Sequence, residues 1–149
     1  AGFNVGFSLR PSLIMAKKKK RTIKQWKTKI DPVFHEYVRR KEVDNHTGLG
    51  KCCTCNKTFH FSELDSGHFM GRQHLSTRWD ERNVHIQCRK DNRFLYGLQY
   101  EYSLFLGPEL SDELLQLSRQ PMKRMEFEYQ ELFDLYKAKL QELKDLQSF

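Results

Sequence analysis

The chain has 149 residues, a formal net charge of +7, and a composition that is 38% hydrophobic and 30% charged. This length suits one ordinary domain with one core. The composition excludes a wholly disordered chain, and no apolar run approaches the ~18 residues that a membrane-spanning helix requires. The charge is uneven. Residues 1–93 hold 20 Lys and Arg against 9 Asp and Glu, whereas residues 94–149 hold 6 against 10. A basic front and an acidic back point to a polyanion on one face, because Arg39, Arg40, Arg72, Arg78, Arg82, Arg89 and Arg93 lie outside the Lys17–Arg21 run.

Met15 followed by "AKKKKR" reads as a start, so residues 1–14 are expected to be an upstream extension, with a transit peptide as the alternative. They lack the basic start, apolar run and small-residue cleavage site of a signal peptide. Residues 15–30 form a basic segment expected to be a tail that orders on DNA. Asp31 as N-cap and Pro32 at the first helical position predict a helix there, with the apolar stripe Val33, Phe34, Tyr37 and Val38, ending near Asp44. "KCCTCNKTFHF" reads as strand, turn, strand. "SGHFM" reads as a short strand, residues 71–82 as a polar loop, "NVHIQC" as a strand, and "RKDNRFLYG" as a short helix or turn.

Gly107-Pro108 predicts a helix stop, and Ser111 a cap for the helix that follows. Beyond Pro121, apolar residues at steps of three and four from Met122 to Leu146 predict a long amphipathic helix, whose stripe is a core or a dimer face. The expected organisation is a core over residues 31–107 and a helical extension over 108–149. Aromatic residues across 94–105 (Phe94, Tyr96, Tyr100, Tyr102, Phe105) are expected to serve packing.

Four cysteines, three of them within "CCTC", do not make a disulfide framework, and a reducing compartment with metal binding fits them better. Zinc needs four ligands in a tetrahedron. Cys52 and Cys55 bracket a tight turn, Cys88 follows 33 positions after Cys55, and Asp91 stands at the same x-x spacing from Cys88. The expected set is Cys52, Cys55, Cys88 and Asp91 around a structural Zn²⁺, with Cys53, His85 and His60 as alternatives for the fourth place. The plain alternative is a group of core thiols that bind nothing.

Between and beyond these halves lie His68 in "DSGHFM", Asn83 in "WDERNVH", and Asn92 directly after Asp91. That order resembles the HNH, or ββα-metal, nucleases. The resemblance implies His68 as general base, Asn83 as the brace of the hairpin loop, and Asn92 as a ligand of a catalytic divalent metal, Mg²⁺ or Mn²⁺. The stretches "DPVFHEYVRRKEVDNHTGLGKCCTCNK", "SGHFMGRQHLSTRWDERNVHIQCRKDNRFLYG" and "DELLQLSRQPMKRMEFEYQELFDLYKAKLQELKDL" resemble the phage NinG (Rap) recombination family over about residues 23–146.

This likeness implies an α+β fold: a small zinc-stapled ββα-metal core with an N-terminal helix and a helical C-terminal extension. It further implies an endonuclease of branched or junction DNA, at work in the cytoplasm of an infected bacterial host. Gly67, directly before His68, offers no ligand, and Asp80 and His85 are the expected completions of the site, with Asp65 and His74 as alternatives. Arg72, Arg78, Arg82, Arg89 and Arg93 are the expected phosphate contacts, with pairing to Asp80 or Glu81 as the plain alternative for Arg72, Arg78 and Arg82. Trp79 is expected to stack on a base or to anchor the core. A homodimer through the C-terminal helix is the expected assembly. The competing functions are a non-catalytic zinc-dependent DNA-binding protein and a helical interaction protein.

Overall fold

The structure, a computed structural model, describes residues 1–2 and 17–149. The expectation for the first fourteen residues falls almost wholly outside that range. The fold mixes helices with two small antiparallel sheets. Helix α1 spans Ile23–Lys41. It begins at a reciprocal cap in which the Thr22 side chain accepts from the Gln25 N–H, and the Gln25 side chain accepts from the Thr22 N–H. The helix thus starts eight residues before the expected cap at Asp31, and Pro32 lies inside it. An interior proline removes a backbone bond. The helix runs through it because Trp26, Ile30, Phe34, Tyr37 and Val38 are all buried along one face. The segment from Ile23 to Ile30 is therefore the first part of α1, anchored in the core by Trp26 and Ile30, and not a loose tail.

Strands β1 (Leu49–Lys51) and β2 (Thr58–His60) pair antiparallel around the Cys-x-x-Cys turn. Strands β3 (Leu64–His68) and β4 (Val84–Cys88) form the second hairpin, with His68 opposite Val84 and Leu64 opposite Cys88. The long loop between them ends in a 3₁₀ turn over Glu81–Asn83, and a π turn over Lys90–Phe94 follows β4. Helices α2 (Gln99–Leu106), α3 (Pro108–Ser118) and α4 (Glu126–Leu146) complete the chain. Gly107, at φ 84°, makes the corner between α2 and α3. Pro108 opens α3, so Ser111 lies within that helix and its hydroxyl donates back to the Gly107 and Ser103 carbonyls. Among the described residues no helix is long and apolar enough to cross a membrane.

The α4 stripe joins the main core inside the chain. Tyr129, Tyr136 and Leu140 pack with Trp26, Phe34 and Val38 of α1 and with Trp79 and Val84 of the hairpin. Trp26 stacks on Tyr129 with ring centroids 5.6 Å apart, and its indole N–H donates to Glu126. Glu81 fastens the same layers. Its carboxylate accepts from Tyr37 and Lys41 of α1 and from Tyr136 and Lys139 of α4. Burial would raise its pKa, but the bonds from Lys139 and Lys41 outweigh this and hold it at about 2. Two smaller cores sit under α2 and α3 (Phe69, Met70, Tyr102, Leu114) and beside the hairpin (Val43, Leu64, Ile86).

Asp31 has a different task from the cap expected of it. Its carboxylate accepts from the buried Arg78 guanidinium and from the Trp79 indole N–H at 2.8 Å, tying α1 to the β3–β4 loop. Burial would raise the Asp31 carboxyl, but the bonds from Arg78 and Trp79 hold it below its ordinary value. Removing one partner of a buried ion pair leaves an uncompensated charge. Asp31→Ala should therefore cost about 3 kcal/mol or more in denaturant unfolding, whereas Arg82→Ala, at an exposed pair, should cost less than about 1 kcal/mol.

Candidate functional site

The Cys-x-x-Cys turn and the end of β4 bring four donor atoms together. One ligand atom from each of Cys52, Cys55, Cys88 and Asp91 lies within 4.8 Å of the others. The Cys55 and Cys88 sulfurs are 3.9 Å apart, and the Cys52 sulfur is 3.7 Å from Asp91 Oδ2. A zinc tetrahedron with Zn–S bonds of about 2.3 Å has S···S edges of roughly 3.8 Å. The donor set fits such an ion in both chemistry and spacing. Asp91 is 4% exposed, and a carboxylate buried beside three thiols calls for a cation. Burial pushes the Cys88 thiol up to about 12, whereas at Cys52 the hydrogen bonds from Thr54 and from backbone N–H groups outweigh burial and lower the thiol. Cys53 points elsewhere, packing with Tyr102 and Leu114, and burial raises its thiol. His60 and His85 do not belong to the cluster.

A hydrogen-bonded chain leads away from the cluster. Thr54 donates to Asp91 Oδ2 at 2.6 Å, and the Gln87 side-chain amide donates to Thr54 at 3.1 Å and to the Gly97 carbonyl at 2.9 Å. The Gly97 N–H donates to the Asp91 carbonyl at 2.8 Å. Gly67 makes room for Gln87, because a Cβ at position 67 would lie 2.2 Å from the Gln87 side-chain oxygen. Its glycine is thus a packing requirement.

Between α1, β3 and the π turn is a cleft of about 560 Å³, lined by His35, Arg39, Asp65, His68, Arg72, Asn92, Arg93 and Tyr96 among others. His68 and Asn92 meet here although 24 positions separate them in sequence, because the π turn folds Asn92 back beside β3. The Asn92 amide donates to Asp65 Oδ2 at 3.1 Å. His68 Nε2 donates to the Arg78 carbonyl at 3.1 Å, which leaves Nδ1 as the ring's acceptor. Burial, with help from His35 and nearby arginines, lowers His68 to about 4, so the ring is neutral at pH 7. Asn83 is fully buried away from the cleft. Its amide accepts from the Met70 N–H at 2.7 Å and donates to the Met70 and Thr77 carbonyls, bracing the loop from both ends.

The expected phosphate contacts divide. Arg72 lines the cleft and makes no ion pair among the described residues, and Arg93 lines it while gripping Asp65 with two bonds of 2.7 Å. Arg89 lies by the cysteine cluster, bonded to the Ser62 carbonyl. Arg78 is buried in its pair with Asp31, and Arg82 is held by Asp80 and Glu113, so the fold commits both guanidinium groups to structural pairs. Asp80 and His85 do not complete the site. Asp80 caps the 3₁₀ turn and pairs with Arg82, and His85 bonds to Glu42 and the Arg82 carbonyl. His74 does not line the cleft, whereas Asp65 does.

The cleft residue that the sequence reading missed is His35, and Arg39, named there only among the arginines of the basic front, joins it. They stand four apart on α1, a spacing that puts both on one face beside the apolar stripe. The His35 ring meets His68 edge-on at 5.2 Å, and its buried Nε2 has no hydrogen-bond partner among the described residues. Trp79 is only 4% exposed and anchors the core, whereas Phe94 (74%), Tyr96 (95%) and Tyr100 (72%) are exposed, contrary to the packing role expected of them. Tyr96, Gly97 and Leu98 adopt consecutive positive φ values of 55°, 83° and 46°, a conformation that costs roughly 1–2 kcal/mol at each non-glycine residue.

A family model described as Bacteriophage Lambda NinG protein matches residues 10–148. Comparison with curated proteins and with solved structures gives no significant match.

Two measurements check the site. The purified protein should carry about one zinc per chain by elemental analysis, given a four-donor closed site. Asp91→Cys should keep that zinc, and Asp91→Ala should surrender it to a chelator with a fall in Tm. Separately, His35 and His68 are both pushed by burial to about 4 from an ordinary 6.5. Between those values the unfolded chain binds protons that the native chain refuses. Stability should thus be full above pH 6.5 and fall as pH drops toward 4, and His35→Gln should flatten that slope in urea titrations.

Proposed function

The chain belongs to the bacteriophage lambda NinG family, and from that premise we propose that it is a metal-dependent endonuclease acting on branched DNA in phage recombination. The observation that carries this reading is the state of His68: a neutral imidazole with one nitrogen anchored to a carbonyl and the other available at a cleft lined by Arg39, Arg72 and Arg93. Arg39 and Arg72, which make no ion pair among the described residues, hold the phosphate backbone by charge-assisted bonds, and Arg93 adds its charge from its pair with Asp65. His68 Nδ1 takes a proton from water. The hydroxide attacks phosphorus, the P–O3′ bond breaks, and the departing oxygen takes a proton from solvent. Asn83 keeps the loop shape, and with it the Arg78 carbonyl that orients His68.

Asn92, Asp65 and His35 supply oxygen and nitrogen donors at the cleft, and the unpartnered His35 Nε2 suits a role toward a cation. A divalent ion held there, Mg²⁺ or Mn²⁺, would supply Lewis-acid stabilisation of the charge that builds on the phosphate. The cysteine cluster holds a structural zinc in the same reading, separate from the chemistry. The protein works where its DNA is, in the host cytoplasm.

One observation favours a second reading, a DNA-binding recombination protein that does not cut. Among the described residues, only the cysteine cluster brings three or more His, Cys or carboxylate donors together, and Asp65 is engaged by Arg93. A synthetic four-way junction, incubated with the protein in Mg²⁺, Mn²⁺ or Zn²⁺, separates the two. The nuclease reading expects cleavage in at least one metal, and His68→Ala to lose about 100-fold or more of the rate with unchanged binding. Tight, salt-sensitive binding with no cleavage in any metal supports the second reading instead.

A further inference from the structure

We propose that Tyr96 is a stacking platform for an unpaired nucleobase, and that it lets the cleft distinguish DNA with disrupted pairing from continuous duplex. The inference rests on the reading that the cleft binds DNA, but not on cleavage. Tyr96 is almost fully exposed at 95%, yet it lines the same cleft as Arg39, Arg72 and Arg93. Phe94 and Tyr100, two and four residues away, are also exposed, so three aromatic rings are presented within seven residues. Exposed aromatics beside a basic groove match the two needs of single-stranded DNA: cations for the backbone and flat apolar faces for the bases. A continuous duplex offers only the backbone, because its bases are already stacked on one another.

The backbone supports a role for this side chain in particular. Residues 96–98 hold left-handed conformations that glycine adopts freely and that tyrosine and leucine resist. The turn is held in place from beneath, by the Gly97 N–H to Asp91 and the Gly97 carbonyl from Gln87. Glycine occupies the middle position, but at position 96 the chain carries a large ring that makes no core contact. A residue kept for folding would be glycine or asparagine there. The charge of the adjoining cleft identifies the occupant as DNA, since a second copy of this basic front would meet repulsion from Arg39, Arg72 and Arg93.

The test uses the full chain in calcium-containing buffer, with fluorescent oligonucleotides carrying 2-aminopurine either in a single-stranded gap or within a continuous duplex. Wild type should quench the gap probe and bind it more tightly than the duplex. Tyr96→Ala should lose about ten-fold in affinity for the gap probe, equivalent to about 1.4 kcal/mol, and almost nothing for the duplex, while Tyr96→Phe should behave as wild type. Tyr96→Gly should show the same loss of gap binding together with a raised Tm, a combination that a purely structural role could not produce. Equal losses on both probes, or no loss on either, would overturn the proposal, as would a Tyr96-dependent dimer in sedimentation. Cleavage of a four-way junction in Mg²⁺, Mn²⁺ and Zn²⁺ is measured in parallel. If wild type binds and discriminates but never cuts, the nuclease reading fails and the stacking role stands. If it cuts and Tyr96→Ala still favours the gap, the reverse holds.

Discussion

Four donor atoms, one each from Cys52, Cys55, Cys88 and Asp91, lie within 4.8 Å of one another where the two hairpins and the π turn converge, in a set that could hold a metal such as zinc. The sheets they join are very small, three residues per strand in one and five in the other. Strands of that length contribute too little burial to fix a geometry unaided, and small modules of this kind rely on a staple. Cys52 and Cys55 come from the first hairpin, Cys88 from the end of β4, and Asp91 from the π turn. A cation at their centre would offset the cost of burying a carboxylate against three sulfurs, and would couple the two hairpins and the turn into one body.

From Asp91 the constraint passes outward through identifiable bonds. Thr54 and Gln87 connect the carboxylate to the Gly97 carbonyl, and the Asp91 carbonyl takes the Gly97 N–H. Asn92, next in the chain, is thereby turned toward β3, and Tyr96 is raised at the cleft mouth. At the other end of the hairpin the loop is set by Asn83 and by the Asp31–Arg78 pair, and Arg78 presents the carbonyl that orients His68. The cleft therefore lies between two rigid supports, one built on the cysteine cluster and one on a buried ion pair. Each support touches a residue that lines the cleft, Asn92 on one side and His68 on the other.

Much of this was legible in the sequence where the signal is local. The Cys-x-x-Cys turn, the flanking strands and the polar loop follow from spacing over a few residues, and the four-residue donor set follows from Asp91 standing at the ligand spacing from Cys88. Where tertiary burial decides, the sequence misleads. Asp31-Pro32 has the form of a helix start, but the apolar face that extends back to Trp26 carries the helix through the proline. Arg78 and Arg82 look like phosphate ligands until the fold supplies their carboxylates. Aromatic residues at 94–100 suggest a core by composition alone, and nothing short of three dimensions shows that Phe94, Tyr96 and Tyr100 face outward while Tyr102 is fully buried. His35 escaped notice because a lone histidine on a helix carries no pattern, and its meaning comes only from the ring it meets.

The coupling of staple to cleft is the centre of this account, and X-ray diffraction on either side of the zinc absorption edge tests it most directly. Crystals of the zinc-loaded protein should show an anomalous peak bounded by Cys52, Cys55, Cys88 and Asp91, with Asn92 and His68 facing the same cleft. No peak at that position, or a zinc held by Cys53 or His60 with Asp91 turned away, would contradict it.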